Sequence, residues 1–187
     1  MAIVTTASAG LRAAGKGATI VQLRAPGLSG RSLEAEAKAL VSASPLPVVI
    51  SSRCDVALAS GAAGVNLPER DIAVEAARQL LGDRLVGRSV HSLGAALQAE
   101  REGADYVIFG PVWESSSHSG VGGTKSPPPL AEEGQGWGPT PTGLDALAAL
   151  VGAVRIPVLA IGGVTRDRIA ECHAAGAAGY AAIRLFE

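Results

Sequence analysis

The chain has 187 residues, of which 48% are hydrophobic and 18% charged, the profile of a folded globular domain rather than a disordered one. Sixteen basic and 17 acidic side chains give a net charge of -1, and Trp, Tyr and Phe number two each, so nucleic acid and membrane surfaces are not expected partners. Apolar runs stop short of the roughly 18 residues of a membrane helix, nothing resembles a secretory leader, and Cys54 and Cys172 lack C-x-x-C spacing, so both are read as buried thiols of a cytoplasmic protein.

In chain order, short β-type runs alternate with alanine-rich helical segments. Strands are predicted at 2–6, 18–24, 46–50, 64–67, 84–90, 105–110, 157–162 and 179–185. Most are continuously apolar, as parallel strands covered on both faces require. Helical periodicity runs through 32–44, 73–82, 92–103, 142–152 and 165–176, with shorter helices at 8–16 and 54–61. Several close on glycine, and Ser92 and Thr165 stand as N-caps. The βα count favours a single-domain (β/α)8 TIM barrel over 1–187, rather than a doubly wound sheet. No room remains for a full final outer helix, so that helix is expected to be shortened or missing, with a partner subunit of a homodimer over the gap.

The segment 111–141 breaks this rhythm, being rich in Gly, Ser and Pro with no periodic core face. It follows strand six and is read as a lid at the active-site end, against the alternative of a surface insertion. His118, Lys125 and Glu114 on it are candidates to reach a substrate; a solvated lysine is the plain alternative.

Further candidates sit at strand ends. Gly162 and Gly163 close strand seven in AIGGVTRDR, where the absence of side chains admits either a phosphate or a simple turn. Ala182 and Arg184, in the eighth strand, would complete that site. Gln22 and Arg24 flank Leu23 and with period two both face the barrel mouth, though Arg24 has a structural alternative. Ser89 is a candidate donor to a ligand oxygen, and His91 either an acid–base group or a helix cap. Asp71 and Glu69 are hard-oxygen groups that could hold Mg²⁺, although two carboxylates in a loop more often serve solvation or helix capping. No dinucleotide, Walker, H-E-x-x-H or nucleophile-elbow motif occurs.

Taken together, QLR (22–24), SSRCDVALASGAAGVNLPERD (51–71), GRSVHS (87–92), GADYVIFGPVWES (103–115) and AIGGVTRDRI (160–169) resemble the thiamine phosphate synthase/TenI family along nearly the whole chain. The resemblance implies a (β/α) barrel and a small phosphorylated heterocycle as ligand. For synthase members it implies union of a pyrimidine diphosphate with a thiazole phosphate, with Mg²⁺ on acidic residues. It carries Gln22, Arg24 and Ser89 over as substrate contacts, Gly162 and Gly163 as contacts to the thiazole phosphate, and Asp71 as a Mg²⁺ ligand. Three positions depart. Pro26 stands where the family has Lys, Ser51-Ser52 where it has Asn-Asp, and N-L-P-E (66–69) where it has H-L-G-Q. The TenI-like branch of thiazole tautomerases, which needs no diphosphate site and no metal, resembles GRSVHS and the W-E of 113–114 more closely, although its catalytic His is Pro111 here. The first expectation is therefore a TenI-like protein binding a thiazole phosphate and, as an enzyme, moving a proton. Thiamine phosphate synthase and a non-catalytic phosphometabolite-binding regulator are the alternatives.

Overall fold

Eight parallel strands pair in strict chain order, each with the next, in the computed structural model, which describes residues 1–114 and 141–187. The strands are β1 Ala2–Val4, β2 Val21–Leu23, β3 Val48–Ser51, β4 Gly64–Leu67, β5 Leu85–Val90, β6 Tyr106–Phe109, β7 Val158–Ala160 and β8 Gly179–Tyr180. A parallel bridge between Ala2 and Ala182 closes the ring, with the Ile3 N–H donating to the Ala182 carbonyl at 2.9 Å. The helices are α1 Ala7–Gly15, α2 Gly30–Ala43, α3 Cys54–Ser60, α4 Val74–Leu81, α5 Leu93–Arg101, α6 Gly143–Ala153 and α7 Ile169–Ala174. This is the (β/α)8 barrel that the strand count predicts.

Strand alternation divides the core in two. Val21 and Leu23 point outward and pack under the helices with Leu33, Ala37 and Leu40 of α2, which recur at the spacing of one helix face. Full burial of a leucine such as Leu40 contributes roughly 1.5–3 kcal/mol. Residues of opposite phase, including Ile3, Val49, Tyr106 and Ile108, fill the barrel interior. Tyr106 fits because its register partner is Gly87, where a Cβ would collide with the phenol ring.

Caps fix where several helices begin. Thr6, Ser29 and Ser92 each accept from a backbone N–H three residues on, the Ser92 bond to the Ala95 N–H being 3.2 Å. Thr165 makes no such bond, contrary to its expected role. The helix predicted over 165–176 is instead a 3₁₀ turn at Arg166–Arg168 followed by α7, six residues long. The eighth strand is also shorter than the predicted 179–185. After Tyr180 the chain keeps only the Ala182 bridge and turns at Arg184–Phe186, because Phe186 buries itself and stacks on Tyr180, ring centroids 6.1 Å apart. That terminal turn stands where a full outer helix would follow β8. Cys54 and Cys172 are buried free thiols. No helix among the described residues is long and apolar enough to cross a membrane.

Candidate active site

A cavity of about 360 Å³ opens at the carboxyl ends of the strands, the end where barrels of this kind place their chemistry. Of the residues singled out by sequence, Arg24, His91, Glu114, Gly162, Gly163, Ala182 and Arg184 all line it. His118 and Lys125 fall outside the described residues. Among the described residues, three arginines (Arg24, Arg168 and Arg184) and one carboxylate, Glu114, line the cavity, a balance that suits an anionic ligand.

The two glycines after β7 have φ of +89° and +65°, left-handed values that most side chains resist. Their neighbours supply a second reason for glycine. A Cβ on Gly162 would lie 2.5 Å from Cβ of Pro111, and one on Gly163 would lie 2.6 Å from the Glu114 carbonyl oxygen. The base of the loop after β6 thus rests directly on them. The Val112 N–H donates to Ile161 and the Trp113 N–H to Gly162. The far end of the same loop is pinned too, the Thr142 N–H donating to the Pro111 carbonyl at 2.8 Å. Gly162–Gly163 is therefore a cradle whose second wall is Pro111–Glu114. Arg168 ties the two walls: Nη1 donates to the Gly163 carbonyl at 2.9 Å, and its guanidinium lies 5.0 Å over the Trp113 ring.

The opposite rim, after β3 and β4, is organised differently. Ser52 holds φ of +70°, costly for a non-glycine residue. Two bonds hold it there: its N–H donates to the Asn66 carbonyl at 3.0 Å, and its hydroxyl donates to Asp71 Oδ2. Asp71 Oδ1 accepts from the Ile72 N–H at 2.8 Å. Glu69 pairs with Nδ1 of His91, both groups largely buried. Arg88 staples the loop that carries them, donating to the carbonyls of Ile72 and Glu69 at 2.7 Å each. Burial lowers the Arg88 pKa from its ordinary value, which nearby Glu102, Asp71 and Glu69 oppose.

Gln22, Asn66 and Ser89 sit within the strands and are not among the residues that line the cavity. Gln22 is the register partner of Ile3, which lines the cavity, and it is 3% exposed. Asn66, 2% exposed, donates from Nδ2 to Ser89 Oγ at 3.0 Å. Gln22 Oε1 and Asn66 Oδ1 have no hydrogen-bond donor among the described residues. Such orphaned acceptors cost roughly 1–3 kcal/mol each unless a ligand or water serves them. The Ser89 hydroxyl, having accepted from Asn66, keeps its own proton for another acceptor.

For the Mg²⁺ suggested at Asp71, the described residues offer one carboxylate whose two oxygens each already accept a hydrogen bond. Both oxygens of Asp71 already accept from Ser52 and Ile72, Glu69 is paired with His91, and no group of three or more His, Cys, Asp or Glu side chains comes together among the described residues. Ser52 stands where a second carboxylate would be needed, and it donates to Asp71 rather than joining it as a ligand. Sequence reading missed Arg168, Trp113 and Arg88. Their signal is tertiary, since an Arg in T-R-D-R reads as a solvated first turn.

A closed barrel with an arginine-lined mouth and a glycine cradle after β7 defines a binder of small phosphorylated molecules. The comparisons make this specific. The family model for thiamine monophosphate synthase (TMP-TENI) matches residues 3–128 and 137–186, and the chain belongs to that family. It is 38% identical over 170 residues to the thiamine-phosphate synthase of Chloroflexus aurantiacus, covering 89% of this chain and 71% of that one. Over 177 residues it is 39% identical to the thiamine-phosphate synthase of Chlorobium luteolum, covering 92% and 75%. Among solved structures, the thiamine phosphate pyrophosphorylase of Pyrococcus furiosus superposes with a TM-score of 0.78 at 30% identity, over 95% of this chain and 78% of that one.

Proposed function

We propose that this protein binds a thiazole phosphate at Gly162–Gly163 and joins it to a pyrimidine diphosphate with release of pyrophosphate. The relatives' reaction supports this reading, and it reverses the order of preference that the sequence suggested. One structural observation carries it: the cavity has two unlike ends. Beside Gly162–Gly163 lie Arg168 and Arg184, suited to a phosphate monoester. Toward β2 and β5 the lining is Arg24 and His91, suited to the charged leaving group of a second substrate, while the Ser89 hydroxyl and the orphaned acceptors of Gln22 and Asn66 are buried in the strands and do not line the cavity. Arg24 is the side chain that meets the leaving group's charge. Holding both partners in one cavity supplies the proximity that such a condensation needs.

A second reading, proton transfer on the same thiazole phosphate, is favoured by the His91–Glu69 pair at the cavity wall. Glu69 holds Nδ1 and so fixes the orientation of the imidazole at the cavity wall. With either chemistry we read the protein as a cytoplasmic homodimer, which light scattering on the purified protein tests. The activity test is direct. Purified protein given both substrates yields thiamine phosphate and pyrophosphate, followed by chromatography. Isomerisation of the thiazole phosphate alone, lost in His91→Ala, would move the assignment to the second reading. Binding without either turnover would leave a regulator.

A further inference from the structure

We propose that Arg168 is the side-chain cation that recognises the ligand's phosphate monoester, and that Trp113 is the positioning residue that holds it there. The inference rests on the reading that a phosphorylated ligand occupies the cradle after β7. The usual source of positive potential at such a cradle is weak here. The helix that follows has six residues, begins after a 3₁₀ turn, and starts without a side-chain cap from Thr165. A dianion at this point needs charge from elsewhere, and Arg168 is built in beside it. The residue lines the cavity together with Gly162, Gly163 and Arg184.

Its position is fixed twice. One nitrogen donates to the Gly163 carbonyl at 2.9 Å, and the guanidinium face rests 5.0 Å from the Trp113 ring centroid. A guanidinium has five N–H donors in one plane. The Gly163 bond takes one of them and the ring covers one face, which leaves edge donors for phosphate oxygens. Trp113 is in turn held by its backbone, whose N–H donates to Gly162 at 3.1 Å. Cradle, arginine and aromatic ring therefore form one assembly. Arg166, on the same turn, is exposed and does not line the cavity, which makes it the internal control.

The test is calorimetric titration with inorganic phosphate, with thiazole phosphate and with the unphosphorylated thiazole alcohol. Arg168→Gln weakens thiazole phosphate binding about 10- to 100-fold and leaves alcohol binding unchanged, as loss of a charge-assisted pair requires. Arg168→Lys recovers part of the loss, because charge remains without the planar fork. Trp113→Leu weakens binding severalfold and Trp113→Phe restores it, an outcome that loss of bulk alone would not give. Arg166→Gln changes nothing. A change below threefold in Arg168→Gln, or equal losses for phosphate and alcohol, would overturn the inference while leaving the thiazole reading intact. Should the wild type bind inorganic phosphate through Arg168 but neither thiazole, the inference stands and the thiazole reading falls. Absence of any phosphate binding by the wild type overturns both.

Discussion

The two sides of the barrel mouth handle charge in opposite ways. After β7 and β8, Arg168 is braced by a carbonyl and an aromatic face, neither of which neutralises it, so it keeps its charge for a ligand. After β3 and β4, the charged groups are engaged with one another or with the protein's own backbone: Asp71 with Ser52 and Ile72, Glu69 with His91, Arg88 with loop carbonyls. A rim braced through carbonyls and rings is ready to bind an anion. A rim braced through its own carboxylates must lose internal bonds before it can hold a cation. The contrast sets a braced arginine beside the cavity against an Asp71 whose oxygens are already engaged by Ser52 and Ile72.

The strongest way to break the first rim is Gly163→Ala. The new Cβ combines a φ of +65° with a Glu114 carbonyl oxygen 2.6 Å away, and backbone cannot step aside as a flexible side chain can. The left-handed conformation and the overpacking together predict a loss of about 2–4 kcal/mol, read from the urea midpoint, and a loss of thiazole phosphate binding of at least tenfold. An unchanged midpoint would mean that the loop after β6 moves freely off the cradle, and the braced-rim argument would fail.

Much of this was legible in the sequence, and the parts that were not share a cause. Period-two alternation placed Leu23 outside the barrel and Arg24 at its mouth, and the structure agrees. The strand count gave the barrel because each βα unit carries its own local pattern. The glycines at 162 and 163 were legible as a cradle, but their second wall was not, since Pro111–Glu114 lies some fifty residues earlier in the chain. Arg168 and the engagement of Asp71 were hidden for the same reason: each depends on a neighbour from another unit. The eighth strand stops before its apolar run does because Phe186 buries itself and turns the chain inward.

The second rim is sharpened by Ser52→Asp. Aspartate tolerates the φ of +70° better than most residues, so the change mainly replaces a donor to Asp71 with a second carboxylate. Two like charges raise the pKa of the pair. Because the folded pKa then exceeds the unfolded one, the associated stability is present below roughly pH 4 and is lost as pH rises toward neutrality. A loss of about 1–2 kcal/mol at pH 7 is expected, recovered in part by millimolar MgCl₂ and visible as a rise in Tm. Wild type should show no such rise. If its Tm does climb with Mg²⁺, the carboxylates are not held by their internal partners and the contrast between the rims collapses.

The smallest expected effect uses Cys54 as a reporter of the charge that Asp71 keeps. Burial pushes the Cys54 thiol above its ordinary pKa, and the carboxylates of Asp71 and then Asp55 push it further. Asp71→Asn retains an acceptor but removes the second of these causes, so the thiol pKa moves down and the thiolate fraction at pH 8 rises. Alkylation of Cys54 by iodoacetamide, followed peptide by peptide in the native protein, should quicken by about twofold. The same raised pKa makes stability depend on pH. A thiol whose folded pKa exceeds the unfolded value of about 8.5 supports the fold below that pH and ceases to as pH rises through the folded value. In Asp71→Asn that alkaline decline becomes shallower. An unaltered alkylation rate would show that Asp71 carries no net charge toward Cys54. The Ser52 hydroxyl and Ile72 N–H would then be screening it fully, and the anionic character assigned to this rim would have to come from Asp55 instead.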